Sequence, residues 1–276
     1  MTYRSALEEG KKYLENRGVP EPETDAWYLL EHVCGFNRTG YLLHMNREME
    51  ETEYARYQSV LMERGKRIPL QHITGEQEFM GLTFRVNDQV LIPRQDTEIL
   101  VETAMKQAKP GMQVLDLCTG SGCIIISLLK LCPGIEGTAG DISAGALEVA
   151  RENASRLDVK VRFVESDLFE RIYGRFDLIV SNPPYIPTGA IGRLMEEVRL
   201  HDPRRALDGH GDGLYFYRKI IAESDLYLKQ GGWLMFEIGS DQGEAVTAMM
   251  RRAGYTRVEV IRDLAGLDRV VTGRRS

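Results

Sequence analysis

The sequence predicts an α/β protein, with a mostly parallel sheet covered by helices on both faces. A small helical domain and a β-hairpin linker precede it. Three observations carry this expectation. From residue 112 onward, short apolar runs alternate with helical patterns, which is how chains build parallel sheets. Residues 1–65 show helical spacing and no strand alternation. Between them, residues 66–92 are rich in aromatic and β-branched side chains broken by glycines, the signature of a hairpin. The expected division is therefore 1–65, 66–92 and 93–276.

In the first segment, "YRSALEEGKKYLENRG" is amphipathic and ends on glycine. "PEPETDAWYLLEHVCG" opens with proline and acids and closes on glycine, and "EETEYARYQSVLMERGKR" is a third amphipathic run. Tyr13, Trp27, Tyr28 and Leu29 are expected in the helical core. "LIPRQDTEILVETAMKQ" opens a helix with Asp96, Thr97 and Glu98 in its first turn, where acids favour the positive end of the helix dipole. The alternation then runs "QVLDLC" strand, "GCIIISLLKLC" helix, "IEGTAGD" strand and "SAGALEVARENASRL" helix, the last with Ser143 as N-cap. "VRFVESD", "FDLIVSN" and "GGWLMFEIG" are strands, "GEAVTAMMRRAG" a helix, and "YTRVEVIRD" with "DRVVTGR" a closing antiparallel pair.

Composition narrows the function. A net charge of -6 disfavours a protein whose affinity rests on blanketing phosphates, so no direct nucleic-acid recognition is expected. No apolar run approaches the ~20 residues that span a bilayer, so no membrane role is expected. The N-terminus carries charges instead of a signal-peptide core. A cytoplasmic monomer is the expectation. Cys34, Cys118, Cys123 and Cys132 form no metal-binding spacing, so no metal site is expected and each reads as a small hydrophobe.

Candidate chemistry begins at "VLDLCTGSG". An apolar strand runs into Cys118, Thr119, Gly120, Ser121 and Gly122 before a helix. Glycines there let a ligand approach the backbone, and ligands of open α/β sheets sit at the carboxyl ends of strands. Taken alone, the pair of glycines is only a tight strand-to-helix turn. A dinucleotide fingerprint would need glycine at Ile125, and a phosphate loop would need a lysine after Gly122; both are missing. Asp141 ends the next strand, where an acid accepts hydrogen bonds from ribose hydroxyls, although an acid near Ser143 also suits a helix start. Asp167 ends the third strand, with Leu168 and Phe169 placed to contact an adenine. These features together indicate an adenosine ligand without phosphates, and S-adenosyl-L-methionine fits.

"SNPPYIP" follows the apolar run "FDLIV". Prolines cannot continue a central strand and hold the residue before them extended. Such a segment is either a structural loop or a stiff binding edge. Asn182 supplies a side-chain acceptor, Pro183 a backbone carbonyl, Pro184 rigidity, and Tyr185 a ring that packs on a flat amide.

With "DLCTGSG", Asp141, "SDLF" and "SNPPY" in this order, the chain resembles the class I (Rossmann-like) S-adenosylmethionine-dependent methyltransferases, whose sheet has seven strands. The Asn182-Pro183-Pro184-Tyr185 tetrad resembles their amino-methylating branch. "RIPLQHITGEQEFMG", "VLIPRQDTEILV" and "GGWLMFEIGSDQGEAV" extend the resemblance over nearly the whole chain to the PrmC/HemK family. The resemblance implies methylation at N5 of the glutamine in the Gly-Gly-Gln loop of bacterial peptide-chain release factors, with S-adenosyl-L-homocysteine as by-product. It implies catalytic roles for Asn182, Pro183, Pro184 and Tyr185. It implies cofactor contacts from Cys118, Thr119, Gly120, Ser121, Gly122, Asp141, Asp167, Leu168 and Asn182. Departures include Cys118 in place of a frequent glycine, Leu168 in place of an aromatic, and Gln95-Asp96 in place of proline-glutamate.

Weaker candidates remain. Arg94 suits either the cofactor carboxylate or an ion pair with Asp96 or Glu98. Glu237 ends a buried strand at the same sheet edge. His72, His201 and His210 are available bases that amide methylation does not need. Rival readings are an adenine-N6 DNA or RNA methyltransferase, a ribosomal-protein glutamine methyltransferase, and a non-catalytic cofactor-binding module. The first 65 residues carry no basic excess, which argues against the nucleic-acid reading.

Overall fold

Apolar periodicity decides the element types. The computed structural model describes residues 1–276, which divide into two compact units: 1–75 with 195–201, and 76–194 with 202–276. In the first, α1 (Tyr3–Asn16) is capped by Thr2, whose side chain accepts from the Ser5 N–H, and buries Ala6, Leu7, Gly10 and Leu14 on one face. Proline opens α2 (Pro22–Cys34), and left-handed Gly35 ends it, as helix termini require. Next come α3 (Arg38–His44), α4 (Glu51–Arg64) and α5 (Leu70–Thr74). Leu14, Trp27, Leu29, Leu30, Tyr57 and Leu61 form the core of this unit, each burial stabilising by roughly 1.5–3 kcal/mol. Trp27 and Leu29 are buried as expected, but Tyr28 is exposed and Tyr13 only half-buried: Tyr28 falls on the solvent side of α2.

The boundary differs from the expected 65. Residues 66–75 stay with the helical unit because "LQHIT" makes a helical turn that Gly75 ends at φ 74°. A short helix over Glu196–His201 also belongs here. Its Glu197 accepts from Arg67 Nε at 2.7 Å and Nη2 at 2.6 Å, and from Arg64 Nη2 at 3.0 Å, while Arg64 Nε donates to Asp25 at 2.6 Å.

The second unit opens with the hairpin β1 (Glu76–Phe79) and β2 (Leu82–Arg85). Then follow α6 (Gln95–Met105), β3 (Gln113–Leu117), α7 (Cys123–Leu131), β4 (Glu136–Asp141), α8 (Ala144–Arg156), β5 (Val161–Glu165) and β6 (Phe176–Ser181). A 3₁₀ turn over Thr188–Arg193 precedes the helix 196–201, which becomes α9, and α10 (Arg204–Leu207). The chain ends with α11 (Tyr215–Tyr227), β7 (Leu228–Glu237), α12 (Gly243–Arg252), β8 (Thr256–Arg262) and β9 (Asp268–Arg274). The expected strands and the helices between them are present, with Ser143 capping α8 through the Ala146 N–H. Helices α3, α5, α9, α10 and α11 were not expected from the sequence.

The seven strands are ordered β5-β4-β3-β6-β7-β9-β8; β9 pairs antiparallel with both β7 and β8 and the other pairs are parallel. Period-two alternation splits the core. Val114, Leu178, Val180 and Met235 pack with Leu100 and the isoleucines of α7 on one face. Leu115, Leu117, Ile179, Leu234 and Phe236 pack with Tyr217, Ile220, Val246 and Met250 on the other. From β3 the chain winds outward to β4 and β5, then returns to place β6 on the opposite side. The sheet therefore has its crevice between the carboxyl ends of β3 and β6, where open α/β sheets bind ligands.

Candidate active site

A cavity of about 580 Å³ occupies that crevice. The turn after β3 forms its floor. Cys118 stands at φ 60°, Gly120 at 54° and Gly122 at 80°. Thr119 N–H donates to the Gly140 carbonyl at 3.1 Å and Gly122 N–H to the Thr119 carbonyl at 2.9 Å, closing the turn. At Gly122 a Cβ would lie 2.8 Å from Ile126 Cδ1 and 3.2 Å from Ala150 Cβ, so both conformation and space demand glycine. Beneath the turn, Asp116 is fully buried and accepts from the Thr119 hydroxyl at 2.6 Å. Burial pushes its carboxyl up to about 7, opposed by the Thr119 hydrogen bond.

At the end of β4, Asp141 accepts from the Gly120 N–H through Oδ2 and from the Ser143 N–H through Oδ1, both at 2.9 Å. These bonds fix the carboxylate at the cavity wall and leave a lone pair on each oxygen. Burial raises its pKa and the two backbone donors pull it back. Asp167 and Leu168 line the cavity from the end of β5. Leu168 is held at φ 48°, with its carbonyl accepting from the buried Ser166 hydroxyl at 2.9 Å. Phe169 does not line the cavity; it is buried and stacked on Tyr227, with centroids 4.3 Å apart, so its expected contact with an adenine is corrected. Ile142, directly after Asp141, is 60% exposed and presents an apolar face in its place.

The tetrad leaves β6 after Ser181, whose hydroxyl donates to the Leu117 carbonyl at 2.7 Å. Pro183 and Pro184 are buried, and Asn182 and Pro184 line the cavity. The tetrad is braced from behind. Gln242 Nε2 donates to the Tyr185 carbonyl at 2.9 Å, and Ile186 exchanges backbone bonds with Leu207 and Gly209 at 3.0 and 2.8 Å. Asn182 Nδ2 donates to Thr97 Oγ1 at 3.3 Å, and the Tyr185 hydroxyl donates to Glu237 Oε1 at 3.3 Å. Burial and the neighbouring Glu237 hold the Tyr185 phenol well above its ordinary range, so it stays protonated.

The crevice thus gathers Cys118, Thr119, Gly120, Ser121, Asp141, Asp167, Leu168, Asn182 and Pro184, and Gly122, Pro183 and Tyr185 are chain neighbours of these residues that do not themselves line it. Arg94 lines the cavity, as contact with a cofactor carboxylate would need, but its ion pair is with Asp202 at 2.7 Å and not with Asp96 or Glu98, the alternative the sequence offered. Of the three histidines only His210 is at the cavity; His72 and His201 belong to the helical unit. Gln89, Val90, Leu91 and Pro93, together with Arg204, Arg205, Tyr215 and Phe216, form walls that the sequence reading missed. They lie before and after the recognisable motifs, and no local spacing marks them. Asn153 of α8 was missed too. Fully buried, it donates to the Ser121 carbonyl and exchanges bonds with Arg85, tying the hairpin to the glycine turn.

This sheet order, with a glycine turn after its central strand, an acid ending the next and Asn-Pro-Pro-Tyr across the switch point, defines a class I S-adenosylmethionine-dependent methyltransferase. Residues 94–262 match the family model of the methyltransferase small domain, and residues 5–75 that of the PrmC N-terminal domain. The chain is 43% identical over 99% of its length to the release factor glutamine methyltransferase of Geobacter sulfurreducens, covering 96% of that protein. It is 41% identical to that of Agrobacterium fabrum, covering 99% of this chain and 98% of that one. In fold it is similar to the E. cuniculi Mtq2–Trm112 complex responsible for methylation of the eRF1 termination factor: TM-score 0.51, 23% identity, 68% of this chain and 99% of that one. The chain belongs to the release factor glutamine methyltransferase family.

Proposed function

We propose that this chain transfers the methyl group of S-adenosyl-L-methionine to the side-chain amide nitrogen of the glutamine in the Gly-Gly-Gln loop of peptide-chain release factors, acting as a cytoplasmic monomer without direct nucleic-acid recognition. The observation that carries the reading is the placement of Asn182 on the same cavity as Asp141 and the glycine turn. No helix is long and apolar enough to cross a membrane.

The cavity suits a phosphate-free adenosine. The free lone pairs of Asp141 take the ribose hydroxyls, and Ile142 and Leu168 offer apolar contact to the adenine, with Asp167 beside them as an acceptor for its exocyclic amine. Cys118, Thr119, Gly120 and Ser121 meet the sulfonium and amino-acid end. Gly122 keeps that turn in shape, and Arg205 stands close enough to Asp141 to lower its pKa. The bound cofactor supplies an electrophilic methyl on a sulfonium, a strong leaving group.

A glutamine amide nitrogen is a weak nucleophile because its lone pair is delocalised into the carbonyl. Asn182 Oδ1 and the Pro183 carbonyl accept its two N–H bonds, which orients the lone pair at the methyl and stabilises the positive charge that develops on nitrogen; one of the two N–H protons then leaves to solvent, giving the neutral N-methyl amide. Tyr185 covers the amide plane. A backbone fixed by two prolines and by Gln242 keeps the acceptors in place without reorganisation, and approach at ~3–3.5 Å provides much of the acceleration.

The test is methyl transfer from radiolabelled cofactor to release factors, their Gly-Gly-Gln to Gly-Gly-Ala variants, ribosomal proteins and adenine-containing DNA. Label confined to wild-type release factors is expected; label on DNA or a ribosomal protein would overturn the substrate assignment. Asn182→Ala should lower turnover by about 10²- to 10³-fold while leaving cofactor affinity within a factor of about three. Undiminished turnover would remove Asn182 from the mechanism.

A further inference from the structure

Glu237 has a role still to be assigned. It ends β7 with its side chain 2% exposed, and its Oε2 has no hydrogen-bond partner. A buried carboxyl with a spare acceptor is costly to keep in a core. Its neighbours explain why it is there. The Tyr185 hydroxyl donates to Oε1 at 3.3 Å, and the hydroxyl of Thr97, a residue only 2% exposed, is near enough to the same carboxyl to lower its pKa. Thr97 Oγ1 in turn accepts from Asn182 Nδ2 at 3.3 Å.

We propose that Glu237 and Thr97 are positioning residues that set the orientation of the Asn182 amide and hold the Tyr185 ring. The inference rests on the glutamine-methylating reading above and deepens it.

Donors and acceptors decide the orientation of the amide. An ionised carboxylate only accepts. Thr97 therefore turns its hydroxyl hydrogen toward Glu237, and its oxygen has lone pairs alone to offer Asn182. The amide must present Nδ2 to Thr97, which leaves Oδ1 facing the cavity, the atom that an incoming N–H needs. A proton on Glu237 reverses the sequence. The carboxylic acid donates to Thr97 Oγ1, the threonine hydrogen turns to Asn182, and the stable amide orientation then points Nδ2 at the substrate. Donor would face donor, and the acceptor for the substrate N–H would be lost.

Protonation is within reach near neutral pH. Burial pushes the Glu237 carboxyl up to about 7, with the Thr97 and Tyr185 hydroxyls pulling it down. The charged groups facing it are Asp96 of α6, which raises it, and Arg269 of β9, which lowers it; these two pair with each other at 3.2 Å. Because the folded pKa is raised, the ionised form prevails above about 7 and the competent amide orientation is lost as pH falls through that value.

The experiment compares wild type, Glu237→Gln, Thr97→Val and Thr97→Ser by single-turnover transfer from about pH 6 to pH 8.5, by cofactor titration, and by side-chain amide NMR of Asn182. The wild-type rate should rise with pH through an apparent pKa near 7. Glu237→Gln and Thr97→Val should lose on the order of 10²-fold in kcat together with the inflection, while cofactor Kd and release-factor KM stay within about threefold. Thr97→Ser keeps the hydroxyl and should restore both rate and inflection. Wild-type rates in Glu237→Gln and Thr97→Val would overturn the proposal. So would a loss matched by an equal loss of cofactor binding, since that marks a merely structural role. The NMR arm needs no turnover: a change in Asn182 amide signals near pH 7, absent from Thr97→Val, upholds the inference even if release factors prove not to be the acceptor, and a pH-invariant amide overturns it even if they are.

Discussion

Cys118 adopts φ 60°, a conformation that costs an L-residue roughly 1–2 kcal/mol. Glycine would take this conformation without strain, because the chain turns left-handed here at the floor of the cavity. The thiol lies against the cavity, and burial first, then the Asp141 charge, pushes its pKa upward, so it stays neutral and unreactive. Glycine would relieve the strain while adding flexibility to the unfolded chain, about 0.5–1 kcal/mol. Alanine would retain the strain and lose the sulfur contacts. Cys118→Gly is therefore expected to be about 1 kcal/mol more stable than Cys118→Ala in denaturant unfolding, with cofactor affinity preserved in the glycine variant. The reverse ranking would show that backbone conformation is not what governs this position.

Among the elements, α9 is the least expected from its sequence, and its role is electrostatic. Burial by itself would raise the pKa of Glu197, but hydrogen bonds from Arg67 and Arg64 and the Arg64 charge more than offset it and hold it at about 2. A depressed carboxyl contributes stability that is complete above its unfolded value near 4.5 and fades as pH falls toward 2. Glu197→Gln should thus cost up to about 3 kcal/mol at pH 7 by denaturant unfolding. The gap from wild type should close between about pH 4.5 and pH 2; a gap independent of pH would place the effect in packing. Nothing near Glu197 in sequence announces this, because its arginines are 130 and 133 residues away. The same distance hid Arg94's partner, 108 residues on, and the pairing of Asn182 with Thr97, 85 residues apart. What was legible was local. The glycine turn, the strand-end acids and the double proline each state their backbone geometry within a few residues, and strand alternation shows in windows of five. Helix α11 went unread because it sits between the tetrad and β7, where the crossover needs a helix but "YFYRKIIAESDLY" carries no side-chain cap to mark its start. Phe169 was misplaced because position 169 follows the strand end closely enough to suit an adenine, while Tyr227 draws its ring into the core.

Across the whole molecule, the sheet order joins the site to stability. The cavity takes its walls from the ends of β3, β4, β5 and β6, the loop before α6, and the segment from α10 into α11. A ligand there touches both windings of the sheet and binds only when both are formed, so occupancy must raise the free energy of unfolding. At a concentration 100 times its Kd, S-adenosyl-L-homocysteine should add about 2.7 kcal/mol, or roughly 5–10 °C in Tm for a chain of this size. The proposed role of Asp141 predicts how that shift depends on the ribose. Two charge-assisted hydrogen bonds of about 1.5 kcal/mol each together set roughly two orders of magnitude in Kd. Asp141→Asn keeps an acceptor for one backbone donor but has no charge, and should weaken binding by about 10- to 100-fold, reducing the shift at the same ligand concentration to a few degrees. The 2′-deoxyribose analogue separates this from a disturbed turn. Wild type should lose affinity for the analogue, whereas Asp141→Asn should bind ligand and analogue almost alike, because the group that distinguishes them is gone. If the variant still discriminates by tenfold or more, the ribose is read by another side chain, and Asp141 serves the Gly120 and Ser143 N–H groups alone.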